Sequence, residues 1–250
     1  MNIKPALAFL ALLATAVASA QLSYHGAMND RLTIGGTAVG NYPLFIDSNF
    51  GTPVATFTSD GIDSMQVTPS ANVGAFDSRN VYYSFSTDNT PVRFNSLEAT
   101  FDGKFVYGGG AGTDSLDASL YGAVLLYQFE DANNNNTYEF GETSFLALST
   151  GAVQLAHLTG NGLQVYNHTI ATTPNYILGA NSHWFVLLQS FVQASGSVGA
   201  SSPAVVLTNE YNKNTWDGNT VTINHEAVPE PATLALALPA LAFLKRRKKS

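Results

Sequence analysis

The chain has 250 residues, no cysteine and a formal net charge of −7 at pH 7. The absence of cysteine excludes disulfide bonds, thiol catalysis and zinc sites built from thiolates. Between the two ends, residues 21–228 have five basic and 17 acidic residues, a formal charge of −12. Because phosphate binding requires a cationic surface, nucleic acid is excluded as a partner, and divalent cations or neutral glycans are expected instead.

Residues 1–20 have the three parts of a secretory signal peptide. Lys4 supplies the positive charge, residues 6–17 form a short apolar region, and residues 18–20 form a small-residue cleavage site of sequence Ala-Ser-Ala. A permanent N-terminal anchor is the alternative, but the apolar run is short and ends at this site. We therefore expect export through the secretory pathway, with Gln21 as the mature N-terminus.

Residues 21–208 have the composition of an all-β domain, rich in Ser, Thr, Val, Tyr, Phe, Asn and Gly. Apolar and polar residues alternate with the period of a strand at residues 81–86 and 220–224. Short apolar runs predict further strands at residues 44–46, 54–58, 104–107, 123–129, 145–148, 163–166, 184–192 and 204–208. The runs 123–129 and 184–192 are apolar on both faces, which predicts central positions in a sheet.

Glycine-containing turn signals separate these runs. They occur at residues 35–36, 60–61, 102–103, 108–110, 161–162 and 217–218. Many short strands at this spacing predict an antiparallel β-sandwich or a jelly-roll-like domain. Residues 209–227 are predicted to hold one last strand, at 221–223, and then an exposed tether.

One stretch of the predicted domain carries recognisable chemistry. A twelve-residue loop has oxygen donors at positions 1, 3, 5, 7, 9 and 12: Asp131, Asn133, Asn135, Thr137 through its carbonyl group, Glu139 and Glu142. This spacing is that of an EF-hand calcium loop, with Asn136 where a glycine is usual. Because the flanking residues look like strands, the loop resembles the β-hosted calcium loops of bacterial surface proteins.

The charge around the loop supports a cation independently. Four acids crowd into residues 130–142, and no Lys or Arg occurs between Lys104 and Lys213. A hard cation would relieve the repulsion, and oxygen donors favour Ca²⁺ over zinc or copper. We therefore predict a structural Ca²⁺; the alternative is an Asn-rich hairpin whose acids point into water. Residues 109–116 match a single calcium-binding nonapeptide, but such sites need stacked copies, so a glycine-rich connection is predicted there.

No sequence motif supports an enzyme. There is no His-Glu-x-x-His, no Gly-x-Ser-x-Gly and no phosphate-binding glycine loop, and the five histidines are scattered. A non-enzymatic protein is predicted, although a carboxylate pair for glycoside hydrolysis stays open. The aromatic residues considered for stacking on sugars are Trp184, Trp216, Tyr82 and Tyr166. Trp184 is expected in the core, and Trp216, among Asn and Asp, is the better candidate.

The C-terminal tail, residues 228–250, has three segments in a fixed order. They are the triplet Pro229, Glu230 and Pro231, the apolar run 234–244, and the basic cluster Lys245, Arg246, Arg247, Lys248 and Lys249. The basic cluster resists entry into hydrocarbon and stays on the cytoplasmic side. A transmembrane helix is therefore predicted. It is short, and Pro239 should kink it.

The tail resembles the PEP-CTERM sorting signal. The triplet, the apolar segment and the terminal basic cluster match that signal in order, over residues 228–250 alone. The resemblance implies recognition by exosortase, a membrane protease-transpeptidase, at the inner membrane, and an association with exopolysaccharide. The leading hypothesis is therefore an exported, non-enzymatic surface or matrix protein. The alternatives are a secreted glycan-binding module and a secreted hydrolase.

Overall fold

The computed structural model describes residues 21–39, 45–51, 53–112, 114–212 and 218–228, with the backbone alone for residues 70–73. Within these residues the chain forms β-strands and no helix. The strands are β1 (Leu22–Ile34), β2 (Thr37–Ala38), β3 (Phe45–Phe50), β4 (Val54–Val67), β5 (Ser70–Thr87), β6 (Val92–Gly109), β7 (Asp117–Phe129), β8 (Ser144–Ser149), β9 (Val153–Leu158), β10 (Gly162–Thr172), β11 (Tyr176–Leu178), β12 (His183–Val198), β13 (Val205–Tyr211) and β14 (Asn219–Ala227).

The strands pair into two antiparallel sheets. At several places in these sheets, two short strands lie end to end beside one long strand. Sheet A has the order β1-β5-β12-β7, and β8 and β9 share the far edge of β7. In sheet B, β13 and β14 lie end to end between β6 and β4. The outer edge of β6 carries β10 and β11, and that of β4 carries β2 and β3.

The inner faces of the two sheets meet in an apolar core. Side chains alternate along each strand, so Tyr83 and Phe85 of β5 point from sheet A toward Phe57 of β4 in sheet B. The ring centroids of Phe57 and Tyr83 lie 4.8 Å apart. Fully burying such side chains contributes about 2–3 kcal/mol each. The predicted antiparallel β-sandwich is confirmed, and its jelly-roll variant stays a prediction.

Each predicted strand overlaps an observed one where the structure describes it, although β13 begins at Val205, one residue later than predicted. The two runs expected in central positions belong to β7 and β12, which pair with each other inside sheet A. The strand predicted at 221–223 belongs to β14, which lies between β4 and β6. The predicted boundary at residue 208 falls inside β13, and β14 continues the sheet to Ala227.

Two of the predicted turns are wrong, because residues 60–61 lie inside β4 and residues 102–103 lie inside β6. Both pairs lie beside the gap between the end of β13 and the start of β14. A Cβ atom on Gly103 would lie 2.3 Å from the carbonyl oxygen of Glu210 and 2.5 Å from the hydroxyl of Tyr166. Gly103 therefore permits close packing at this break and does not make a turn.

A buried polar layer crosses between the sheets. Arg31 of β1 donates from Nε to Asp77 of β5 at 3.0 Å and pairs through Nη2 with Asp63 of β4 at 3.0 Å. Burial and the adjacent carboxyl group of Asp77 raise the pKa of Asp63 to about 7, outweighing the opposing effects of Arg31 and Arg79. These residues lie far apart in sequence, and nothing in the sequence analysis predicted the layer.

Candidate functional site

The predicted calcium loop connects β7 and β8 at one end of sheet A. Phe129 pairs with Ser144, and the backbone N–H of Glu130 donates to the carbonyl oxygen of Thr143 at 2.9 Å. The strands expected on both sides of the loop are thus confirmed. The loop is the closed end of a hairpin, and no helix flanks it.

The carboxylate at position 1 organises the first half of the loop. Asp131 Oδ1 accepts the backbone N–H of Asn135 at 3.1 Å, and Oδ2 accepts that of Asn136 at 2.7 Å. Asn136 has a φ of 62°, the left-handed conformation expected where an EF-hand loop has glycine. Asn136 therefore has the backbone conformation that glycine supplies at this position of an EF-hand loop.

The carboxylate at position 12 closes the loop from the other side. Glu142 Oε1 accepts the N–H of Ala132 at 3.1 Å, and its Oε2 accepts the N–H of Glu139 at 2.9 Å. The amide nitrogen of Asn135 donates to Glu139 Oε1 at 2.7 Å, which joins positions 5 and 9. The first and last acids therefore both turn inward and hold the loop together.

The donor chemistry of the loop fits a hard cation. The side chain of Asp131 is 3% exposed, and its Oδ2 lies 3.8 Å from Nδ1 of His183. Among the described residues, no three His, Cys, Asp or Glu side chains gather closely enough to hold a metal ion. A Ca²⁺ here would therefore need the amide oxygens of Asn133 and Asn135 and the carbonyl group of Thr137 besides the carboxylates.

The loop also covers an aromatic cluster on the outer face of sheet A. The ring of Tyr138 stacks on Phe185 of β12 with centroids 4.2 Å apart, and it contacts Tyr82 of β5 at 5.6 Å. The backbone N–H of Tyr138 donates to Ser84 Oγ at 2.9 Å. We call the buried residues Tyr82, Phe129, Phe185 and Leu187 the covered cluster. Burial raises the pKa of Tyr82 to about 12.

A second aromatic group lies farther along the same outer face and has no such cover among the described residues. Phe191 of β12 is partly exposed, and its ring centroid lies 5.0 Å from that of Tyr121 on β7 and 5.6 Å from that of Phe76 on β5. Gln189 and Gln193 stand two residues on either side of Phe191, on the same face of β12. We call these five residues the open patch.

The sugar-stacking candidates chosen from the sequence occupy different places. Trp184 is 1% exposed, Tyr166 4% and Tyr82 9%, so these three cannot present a ring face to a ligand. The expectation that Trp184 lies in the core is confirmed. Trp216 lies outside the described residues. The open patch was not predicted, although the alternation Gln189-x-Phe191-x-Gln193 is typical of a strand face that is both polar and aromatic.

Asp114 has a structural role in the glycine-rich connection between β6 and β7. Its Oδ1 accepts the N–H of Gly199 at 2.8 Å and the hydroxyl of Ser202 at 2.7 Å, and its Oδ2 accepts the N–H of Ala111 at 2.7 Å. These bonds lower the pKa of Asp114, with the bond from Gly199 contributing most. These bonds hold the β6–β7 connection against the segment that follows β12, and they agree with the predicted glycine-rich connection.

The sorting motif, the basic cluster and the signal peptide lie outside the described residues. This applies to Pro229, Glu230 and Pro231, to Lys245, Arg246, Arg247, Lys248 and Lys249, and to residues 1–20. Within the part of the chain that is described, no helix is long and apolar enough to cross a membrane.

No family model matches the chain, and no curated protein matches it. One similar solved structure is the enzymatically active domain of tailspike protein 4 of bacteriophage CBA120, at 10% identity and a TM-score of 0.21, covering 76% of this chain and 20% of that one. Another is TmCBM61 in complex with β-1,4-galactotriose, at 10% identity and a TM-score of 0.19, covering 75% of this chain and 89% of that one.

A third is the T=1 particle derived from infectious bursal virus, at 13% identity and a TM-score of 0.18, covering 82% of this chain and 41% of that one. The chain spans about a fifth of the length of the tailspike chain. Likenesses at this level carry no argument about function.

Proposed function

We propose that this protein is an exported, non-enzymatic β-sandwich, sorted by exosortase to the cell surface or the extracellular matrix and associated there with exopolysaccharide. The observation that carries the sorting proposal is the tail, in which a Pro-Glu-Pro triplet, an apolar run and a basic cluster follow one another. The acidic β-sandwich is then the part that is delivered. The tail contacts exosortase and the inner membrane, and processing of the tail completes the export of the domain.

We further propose that a structural Ca²⁺ stiffens the loop at residues 131–142. The inward carboxylates of Asp131 and Glu142 and the left-handed Asn136 support this proposal. The ion would supply positive charge to a loop that has no Lys or Arg. Because the loop holds Tyr138 on Phe185, an ordered loop keeps the covered cluster out of water. The role is one of stability and not of catalysis.

The sorting proposal is tested by two tail variants in the native host. Replacing Pro229 and Pro231 together by alanine should abolish tail processing and retain the protein at the membrane, whereas deleting residues 228–250 removes the proposed anchor and should misdirect the protein. Pro203→Ala, in an exposed connection outside the tail, is the matched control. Cell fractionation and intact-mass measurement report location and cleavage. If the Pro229 and Pro231 variant is processed like the parent chain and both variants reach the location of the parent, the sorting proposal is wrong.

A glycan-binding module is the second candidate function. The specific observation in its favour is the open patch, which combines aromatic rings with amide side chains on an exposed sheet face. This function is compatible with the first, since a matrix protein can bind the polysaccharide around it.

A further inference from the structure

We propose that the open patch is a binding surface for a neutral polysaccharide. This inference deepens the proposed function and rests on it in one respect, namely that the protein works among exopolysaccharides. The patch would place pyranose rings against Tyr121 and Phe76, on either side of Phe191, and their hydroxyl groups against the amides of Gln189 and Gln193.

The strand register assembles the patch in adjacent rows across sheet A. Phe191 of β12 lies directly opposite Tyr121 of β7 on one side and Ser78 of β5 on the other. In the next row, Gln193 lies opposite Phe76. Because residues opposite each other in an antiparallel sheet share a face, these side chains form one continuous surface.

The three rings supply the apolar part of a carbohydrate site. The planes of Tyr121 and Phe191 are inclined by only 15°, and those of Phe76 and Phe191 by 36°. Within the described residues, Tyr121 and Phe76 each contact no ring other than Phe191, so each keeps a face that no other ring covers. An aromatic face is a suitable partner for the apolar C–H groups of a pyranose ring.

The amides supply the polar part. The side-chain nitrogen of Gln189 donates to Asn80 Oδ1 at 2.8 Å, which fixes the orientation of its amide. The carboxamide has a second N–H and a carbonyl oxygen, so it can both donate to and accept from a hydroxyl group. Gln193 is exposed and borders a shallow groove of about 330 Å³ that Ile34, Phe76 and Ser195 also line.

The charge of the surface selects a neutral ligand. No Lys or Arg occurs between Lys104 and Lys213, so β7 and β12 bring no cation to the patch. Arg79 of β5 alternates with Ser78 and Asn80 and therefore points to the opposite, inner face. Acids stand in neighbouring rows, at Asp30 of β1 and Asp117 of β7. An anionic polymer would meet repulsion here without a compensating cation.

A second copy of this chain fits the patch less well than a glycan does. Two domains with a formal charge of −12 each repel one another, whereas a neutral polysaccharide meets no such repulsion. Self-association nevertheless makes a distinct prediction, since it would depend on protein concentration and would need no carbohydrate.

The test is affinity electrophoresis of the full chain in gels containing neutral polymers (soluble β-glucan, β-mannan or dextran) or the anionic polymer alginate, followed by calorimetric titration with whichever neutral polymer retards it. Tyr121→Ala and Gln193→Ala truncate partly exposed and exposed members of the patch. Leu163→Ala is the matched control, because Leu163 is 61% exposed on β10 of the other sheet. Circular dichroism and thermal melting establish that each variant is folded.

We expect at least one neutral polymer to retard the parent chain, with about tenfold weaker binding for Tyr121→Ala, a smaller loss for Gln193→Ala and no change for Leu163→Ala. The proposal is overturned if no neutral polymer binds, if alginate binds as strongly, or if the folded patch variants bind like the parent. It is also overturned if the patch variants change only a concentration-dependent dimer. Such a failure leaves correct sorting by the tail intact, so it is distinguishable from failure of the proposed function.

Discussion

Phe185 and Phe191 lie on the same strand and the same face of sheet A, six residues apart, yet they have opposite surroundings. Phe185 is 2% exposed and contacts four rings, those of Tyr82, Tyr127, Phe129 and Tyr138. Phe191 is partly exposed and contacts two. Part of the difference comes from the β7–β8 loop, whose Tyr138 packs on Phe185; among the described residues, no loop ring packs on Phe191.

The inner faces behind the two halves differ as well. Behind the covered half, Tyr83 and Trp184 belong to the apolar core. Behind the open half, Asp77 turns inward between Phe76 and Ser78 and joins the polar layer with Arg31 and Asp63. One end of sheet A is therefore apolar on both faces. At the other end the inner face combines this polar layer with apolar core residues such as Leu120 and Val192, and the outer face is amphipathic. The buried aromatic cluster and the surface proposed to bind a glycan therefore lie at opposite ends of one sheet.

The strongest test of this comparison is to truncate the two phenylalanines separately. Phe185→Ala should destabilise the protein by about 3–5 kcal/mol, because it opens a cavity under the loop. Phe191→Ala, which removes a partly exposed ring, should cost about 1–2 kcal/mol. Urea unfolding followed by circular dichroism measures both. Equal losses would mean that the loop does not bury the covered half in solution.

The second-largest effect is expected from calcium removal, which should lower the stability of the covered half. A site that is filled at a hundred times its dissociation constant stabilises the folded state by about 2.7 kcal/mol, and about 1 kcal/mol shifts the melting temperature of a domain this size by roughly 2–4 °C. We therefore expect EDTA to lower the melting temperature by several degrees. Differential scanning calorimetry with and without Ca²⁺ measures the shift.

Glu142→Gln should abolish that response, because it removes charge from position 12 of the loop. Asp117→Asn is the matched control, since Asp117 is an exposed acid whose partner is His157, outside the loop. Calorimetric titration that shows no Ca²⁺ binding at millimolar concentration, together with no effect of EDTA, would reject the calcium proposal and leave an Asn-rich hairpin closed by its own hydrogen bonds.

The polar layer behind the open half predicts a pH dependence of the opposite sign to ordinary acid unfolding. The pKa of Asp63 is raised from 3.8 to about 7, so between these values the folded state binds more protons than the unfolded state. The contribution of Asp63 to stability is thus fully present below pH 4 and is lost as the pH rises through 7. Because each pKa unit corresponds to about 1.4 kcal/mol, a loss on the order of a few kcal/mol is expected.

Asp63→Asn should remove this part of the dependence, because the amide does not titrate. Urea unfolding in EDTA at pH 5, 6, 7 and 8 gives the stability of the parent and the variant without a contribution from calcium. The difference between the two should grow in favour of the variant as the pH rises. A difference that stays constant over this range would show that Asp63 is ionised throughout, in its pair with Arg31.

Sequence patterns correctly predicted the features that depend only on residues close to one another in the sequence. Alternation at residues 81–86 identified β5, and the runs on either side of residues 131–142 identified the strands that this loop connects. The features that were predicted wrongly, or not predicted, depend on pairing between strands that are distant in the sequence. Residues 60–61 have the composition of a turn, but Asp60 pairs with Phe45 of β3 and Gly61 with Tyr211 of β13, which keeps β4 extended. The open patch likewise joins β5, β7 and β12, whose register no local pattern encodes.

The smallest expected effect concerns the backbone of the loop itself. At a φ of 62°, Asn136→Ala should cost about 1 kcal/mol, since a Cβ without a local hydrogen-bonding group disfavours the left-handed region. Asn136→Gly should be nearly neutral, because the relief of strain is offset by greater freedom in the unfolded chain. Asn181, with a φ of 49° outside the loop, gives the matched pair of substitutions.

Thermal melting of each variant with Ca²⁺ and with EDTA separates the contribution of a bound ion from that of the backbone conformation. If the loop closes around an ion, Asn136→Ala should lose more stability with Ca²⁺ present than with EDTA, whereas Asn181→Ala should lose the same amount in both. An equal loss at Asn136 in both conditions would mean that hydrogen bonds to Asp131 alone set the turn. The cover over Phe185 would then be built by the backbone, with calcium having no part in it.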